Sequence, residues 1–527
     1  MKPNQYNLEL FMNYIIRPLR HTAILALTLL VSTGWADVKL PSLFSDHMVL
    51  QSDATIPVWG WADPGEEVAV SIAGQTQVAK ADSSGKWSVR LAKFSANAPL
   101  TLTVKGHNTI VVQDVLVGEV WLASGQSNMQ LSVNEVWNAK SEKDWAKYPQ
   151  IRMFTVARKV AVAPQTDCEG QWVVCSPETV GSFSATAYFF VRDLHRKLQV
   201  PFGVINASWG GTPIETWTCM DRMEGKPEFA PVFKPWEAKM RVPFDEAKAQ
   251  AQYLRAMEAW KTNAASRKAE GKPVSPEPAK PVNPRLDKNY PANLFNGMIA
   301  PIIPYAIRGA IWYQGENNAA SDLAKLYSMQ LSLLIQDWRQ RWNEGDFPFA
   351  WVQLPNFHPR TTNVVETAYN NWCVVREEML KTLAVTNTGM AITVDVGEAN
   401  NIHPKNKQAV GHRLALWALA KVYGQDVPYS GPLPDGQEIK DGEIILSFKH
   451  TDGGLVAKDG GLKGFAIAGE DHKWVSANAH IEGGKVIVSS PDVKSPQAVR
   501  YAWAANPDCN LYNGAGLPAS PFRTDDW

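Results

Sequence analysis

Neither sign of charge is in excess: 52 Lys and Arg balance 52 Asp and Glu, a formal net charge of +0 over 527 residues. Without a basic surplus there is no general pull on nucleic acid or on an anionic membrane, and neither is expected as a partner. Cysteine is scarce, at five residues. No Cys-x-x-Cys pair and no Cys/His cluster has zinc-ligand spacing, so the sequence points to no metal and no cofactor. Cys168 and Cys175 flank Glu-Gly-Gln-Trp-Val-Val and are spaced to close a small disulfide loop; Cys219, Cys373 and Cys509 have no evident partner. No repeat of solenoid length occurs. No apolar run of spanning length follows residue 36.

The one long apolar stretch lies near the N-terminus. Arg17, Arg20 and His21 precede a short run of Ala, Ile, Leu and Val, and Gly34 and Ala36 are small residues at cleavage spacing. This is the pattern of a signal peptide over residues 1–36. The expected mature chain has no membrane span and is periplasmic or secreted.

What is abundant is apolar and aromatic. Hydrophobic residues make up 45%, charged residues 20%, and there are 21 Trp. The chain is too long for one core, so several domains are expected. Residues 37–112 alternate in short runs broken by Gly, Pro, Asp and Ser, the signature of a small β-sandwich module. Residues 426–527 read the same way. Between them, 113–425, the pattern changes. Apolar runs at 202–208, 309–315, 349–355 and 390–397 do not alternate, as in buried parallel strands. Amphipathic helices at 323–342, 369–384 and 406–424 follow or separate them. This is a doubly wound α/β domain. An insertion at about 220–290 interrupts it. It consists of a polar helix over 243–268, with Phe244, Tyr253, Leu254, Met257 and Trp260 on one side, and a Pro-rich run. It fits a wall beside the site or a surface elaboration equally well.

In such sheets ligands bind beyond the carboxyl ends of the strands. Four motifs fall there: Ala-Ser-Gly-Gln-Ser-Asn-Met around Ser127, Ser-Trp-Gly-Gly-Thr-Pro at 208–213, Trp-Tyr-Gln-Gly-Glu-Asn-Asn at 312–318, and a loop at 395–404 that ends in His403-Pro404. Acyl transfer needs a nucleophile, a base and donors for the oxyanion. Ser127 is the candidate nucleophile. His403 is the candidate base, with His358 as its rival; His412 falls inside a helix. The backbone N–H groups of Ser127 and of Gly210 or Gly211 are candidate oxyanion donors, with the side chains of Gln314 and Asn318. Trp121, Trp209, Trp312 and Trp372 are placed to line a sugar site, with Trp209 and Trp312 the leading pair.

Six segments in order carry a resemblance: Leu-Phe-Ser-Asp-His-Met-Val-Leu-Gln (43–51), Gly-Glu-Val-Trp-Leu-Ala-Ser-Gly-Gln-Ser-Asn-Met (118–129), Trp-Gly-Gly-Thr-Pro-Ile-Glu-Thr-Trp (209–217), Leu-Phe-Asn-Gly-Met-Ile-Ala-Pro-Ile (294–302), Trp-Tyr-Gln-Gly-Glu-Asn-Asn-Ala (312–319) and Ile-His-Pro-Lys-Asn-Lys-Gln-Ala-Val-Gly (402–411). Together they resemble the sialate O-acetylesterase family, a branch of the SGNH hydrolases, over nearly the whole mature chain. The resemblance implies a three-layer α/β/α hydrolase domain with flanking all-β modules. It implies a metal-free serine esterase acting on O-acetylated sugars, either sialic acid or a hemicellulose such as xylan. It assigns Ser127 as nucleophile, His403 as base, and Gly211 and Gln314 as oxyanion donors.

One position departs from that pattern. The family has an aspartate two residues before the histidine, and here Asn401 stands there. An amide cannot stabilise an imidazolium as a carboxylate does. Glu316 is the favoured replacement, with Asp395, Glu398 and a backbone carbonyl as alternatives. The same departure raises a reading of another class, a decayed esterase that binds glycans without cleaving them.

Overall fold

The structure, a computed structural model, describes residues 37–527 apart from 97, 364 and 366–369. The expected signal segment lies outside the described residues. None of the described helices is long and apolar enough to cross a membrane.

A long strand, Thr109–Gly125, organises the molecule. Its first half pairs antiparallel with Leu100–Lys105, in an N-terminal β module that also contains Glu67–Ile72 and Gln75–Lys80. Its second half enters the central sheet without a break. That sheet runs Thr388–Ala391, Phe349–Val352, Gly309–Tyr313, the long strand, Phe202–Ser208, Ile151–Thr155 and Trp172–Val174. All pairs in it are parallel except the last.

The parallel strands lack alternation because both sheet faces are covered. Phe202–Ser208, Gly309–Tyr313 and Phe349–Val352 are buried at every position. Successive residues of the long strand enter opposite cores. Trp121 and Ala123 pack with helices Ala185–Leu198 and Lys407–Lys421. Val120 and Leu122 pack with helix Tyr327–Trp342 and with Trp372, Val375 and Met379 of Asn370–Lys381. This is the three-layer α/β/α arrangement expected from the sequence. The C-terminal residues form two four-stranded sheets and a two-stranded ribbon around a core of their own.

One local expectation is corrected. Cys168 and Cys175 form no disulfide, and all five cysteines are free. The strand between the two, Trp172–Val174, carries the chain along the sheet edge, so Cys168 joins one core and Cys175 the other. The insertion helix, Glu246–Ala269, buries none of its residues, and Leu254 is 57% exposed. The Pro-rich run folds back along it, with Trp260 Nε1 donating to the Ser275 carbonyl at 2.8 Å.

Candidate active site

Strand register assembles the site. Gly125 is paired with Ser208 on one side and with Tyr313 on the other. Three strands therefore end side by side, and the segments after them open at one level. Gly125 has φ +136°, and a Cβ there would sit 2.1 Å from the Tyr313 carbonyl oxygen. Only glycine lets the chain turn this close to its neighbour. Ser127 follows at once as the first residue of a single helical turn, Ser127–Gln130.

His403 arrives from the loop after the Thr388–Ala391 strand. Its Nε2 lies 2.8 Å from Ser127 Oγ. His358, its rival, packs against Phe357 and Trp372 instead. His412 pairs with Asp193 on the helix surface. Burial holds the His403 pKa below the usual imidazole range. The Lys407 ammonium pushes it the same way, and the Glu135 carboxylate opposes both.

None of the carboxylates considered from the sequence is bonded to the imidazole. Glu316 is fully enclosed: one oxygen accepts from Asn128 Nδ2 and the other has no partner among the described residues. Burial raises its pKa. Asp395 is held by Arg413 at 2.6 Å. Glu398 accepts from the Lys405 N–H at 2.7 Å and from Asn401 Nδ2 at 3.2 Å. Asn401 wraps the backbone of His403, accepting from its N–H at 3.0 Å and donating to its carbonyl at 2.8 Å. The expectation that Glu316 touches His403 is therefore corrected, because its carboxylate faces inward, under the Ser127 turn.

The oxyanion expectations divide. The Gly210 N–H donates to Gln130 Oε1 at 2.8 Å, whereas the exposed Gly211 N–H has no partner among the described residues. Gly211 has φ +69°, which favours glycine. A Cβ on Gly210 would lie 3.1 Å from Ser127 Cβ, so this loop passes directly beside Ser127. Gln314 and Asn318 are both 0% exposed. The Gln314 amide donates to Asn318 Oδ1 at 2.7 Å and to the Gln126 side chain and Thr212 carbonyl at 3.1 Å. Asn318 accepts from the Ile214 N–H at 3.1 Å and donates to Glu215. Both amides brace the glycine loop from behind, which corrects their expected place as donors to the substrate. Asn317, between them, is half-buried at the front and donates to the Gly211 carbonyl at 3.1 Å.

Of the tryptophans, Trp312 and Trp121 are fully buried and Trp372 nearly so. Trp312 stacks edge-on with Trp217 and Trp338, which corrects its placement in a sugar site. Trp209 stays half-exposed, with Arg158 and Lys288 over its ring. Lys288, at the end of the insertion, also donates to the Gly210 carbonyl at 2.6 Å.

Sequence reasoning missed Asn128, Glu135, Lys288 and Lys407. Lys407 carried a signal: it opens the helix Lys407–Lys421, where the dipole disfavours a cation.

The site can be set beside known proteins. A family model described as carbohydrate esterase, sialic acid-specific acetylesterase, matches residues 290–419. Sialate O-acetylesterase of Rattus norvegicus is 30% identical, over 92% of this chain and 94% of its own. The chain belongs to the sialate O-acetylesterase family. The Homo sapiens member is 29% identical over 93% of this chain and 94% of its own. The crystal structure of a carbohydrate acetylesterase from Xanthomonas citri has 35% identity and a TM-score of 0.78, covering 93% of this chain and 100% of that one. The similarity to these family members extends well beyond the α/β domain, into the β regions on either side.

Proposed function

We propose that the chain is a serine esterase that removes O-acetyl groups from carbohydrates. The observation that carries this reading is the 2.8 Å contact between His403 Nε2 and Ser127 Oγ at the aligned strand ends. His403 takes the Ser127 proton as the oxygen attacks the acetyl carbonyl. The oxyanion meets the backbone N–H groups of Ser127 and Gly211. Asn317 flanks them, and Gln314 and Asn318 hold the loop that carries Gly211. The carbonyl re-forms, the sugar oxygen leaves with the proton from His403, and water attacks the acetyl-serine in the same manner to release acetate. Trp209 offers an aromatic face for a sugar ring.

The family favours an acetylated sialic acid as substrate, and acetylated xylan is the alternative. The export signal over residues 1–36 would bring the enzyme to such glycans in the periplasm or outside the cell. The test is acetate release from 9-O-acetylated sialic acid and from acetylated xylo-oligosaccharides, side by side. Ser127→Ala is expected to fold and to lose turnover by about 10⁴-fold or more. Retained turnover in that variant would remove Ser127 from its role. Binding of both sugars without acetate release would favour the decayed glycan binder.

A further inference from the structure

The orienting carboxylate of a catalytic triad does two things: it fixes the imidazole ring and stabilises its charge. Asn401 does neither through the ring, since both ends of its amide are on the backbone of His403. Yet Nε2 sits within hydrogen-bond reach of Ser127 Oγ. Something else holds the loop there.

The residues on either side of His403 show what. The carbonyl of Ile402, just before it, accepts from Asn128 Nδ2 at 3.0 Å. The carbonyl of Pro404, just after it, accepts from Lys407 Nζ at 2.7 Å. The same Lys407 Nζ donates to Asn128 Oδ1 at 2.6 Å, and Asn128 Nδ2 also donates to Glu316. Asn128 and Lys407 are 0% exposed and Glu316 is 4% exposed. Asn128 is the chain neighbour of Ser127, so one side chain ties the nucleophile turn to the histidine loop. Burying an ammonium and a carboxylate is costly unless each is matched by partners. The reaction steps make no use of either charge. A positioning role accounts for this arrangement.

We propose that Asn128, Lys407 and Glu316 form a buried clamp that positions His403 against Ser127 through the two carbonyls flanking the histidine. The clamp does the orienting work that the missing aspartate would otherwise do. It rests on the esterase reading above, and it makes these three positioning residues, with no contact to the acetyl group. Stabilisation of the imidazolium is separate. The charges around His403 are Lys407, which opposes it, Glu135, which favours it, and Glu316 and Glu398, which face Lys407.

The test compares full-length Lys407→Met and Asn128→Ala with wild type, on whichever acetylated sugar wild type cleaves. Thermal unfolding checks that each variant is folded. Both are expected to lose roughly 10- to 100-fold in kcat, the range that a small misplacement of a catalytic group produces. KM should stay within about threefold, because neither residue touches the sugar. The pH profiles then separate geometry from charge. Lys407→Met removes a cation that disfavours the imidazolium, so its acid limb moves to higher pH. Asn128→Ala leaves the charges in place, so its acid limb stays. Glu316→Gln keeps an oxygen for Asn128 and should lose less kcat than Glu316→Leu; this pair carries the test if Lys407→Met fails to fold. Folded variants with wild-type kcat and wild-type acid limbs overturn the clamp. Wild-type protein that releases no acetate from either sugar overturns the esterase reading instead.

Discussion

Asn401 uses its whole amide on the loop that it belongs to. Its Nδ2 donates to the Glu398 carboxylate at 3.2 Å as well as to the His403 carbonyl. An aspartate there would lose both donations and place a second carboxylate beside Glu398. Asn401→Asp is therefore expected to lower kcat/KM by about fivefold, the factor set by about 1 kcal/mol of like-charge repulsion. A gain in activity on restoring the acid would contradict this account and revive the picture of a damaged triad. The pH profile follows from the same residue. An imidazole accepts a proton only when neutral, and burial together with Lys407 depresses the His403 pKa. Activity should thus persist as pH falls past the ordinary imidazole value of about 6.5 and be lost only below it. An acid limb of kcat/KM centred above that value would show that Glu135 outweighs both. The meeting of Ser127 and His403 was legible in the sequence because a serine and a histidine at strand ends have few other uses. Gln314, Asn318 and Glu316 were misread, because residue type shows that a side chain can do chemistry and not whether it faces the substrate or the interior.

At the scale of elements, the site depends on strands that end level. Gly125, Ser208 and Tyr313 share one rung of the sheet. Gly125 is the tightest point, since a Cβ would meet the Tyr313 carbonyl oxygen at 2.1 Å. Gly125→Ala must either part the two strands or move the Ser127 turn, and its φ of +136° adds strain. A loss of about 4 kcal/mol or more is expected, read as a fall in the denaturant midpoint. A loss under about 1 kcal/mol would mean that the turn relaxes freely. The insertion bears on the same edge. Lys288 braces the Gly210 carbonyl at 2.6 Å, and that peptide carries the Gly211 N–H. Lys288→Met is expected to lower kcat by about tenfold with little change in melting temperature, since one bond near the surface contributes about 1 kcal/mol to stability. Unchanged kcat would make Lys288 a plain surface contact. The strands were legible as unbroken apolar runs, and the helices as 3.6-residue patterns. The fate of Trp312 was implicit in the same pattern. It lies within a strand whose five residues are all buried, so its size reflects the core and not a sugar site. The pairing of Cys168 with Cys175 failed because short spacing says nothing of which sheet face each thiol enters.

At the scale of the molecule, one buried guanidinium bonds both to the α/β domain and to the C-terminal β region, beside surface pairs such as Arg523 with Glu377. Arg376, on the helix Asn370–Lys381, is 0% exposed. It donates to the carbonyls of Leu354 and Pro355, just past a central strand, and to those of Ala504 and Ala505 in the C-terminal region. Burial pulls its pKa down to about 10, so it remains charged at neutral pH. The fastening continues toward the site. Asn506 accepts from Asn356 Nδ2 at 2.9 Å, and Asn356 in turn accepts from the Gly397 N–H at 2.6 Å, in the loop that delivers His403. Nothing in a single sequence could reveal this, because the C-terminal partners of Arg376 are backbone carbonyls more than 120 residues away, such as Ala504 at 128. Arg376→Leu would take a donor from four carbonyls; Pro355 keeps Trp372 Nε1 and Ala505 keeps the Phe357 N–H, while those of Leu354 and Ala504 lose theirs, at an expected cost of about 2–4 kcal/mol. The C-terminal region should then melt ahead of the α/β domain, splitting the calorimetric transition in two. Because the His403 loop is tied to that region, kcat should fall at temperatures between the two transitions while the central sheet is still folded. A single transition at the wild-type temperature would show that the remaining contacts, Arg523 with Glu377 and Gln353 with Ser520 among them, hold the two regions together without Arg376.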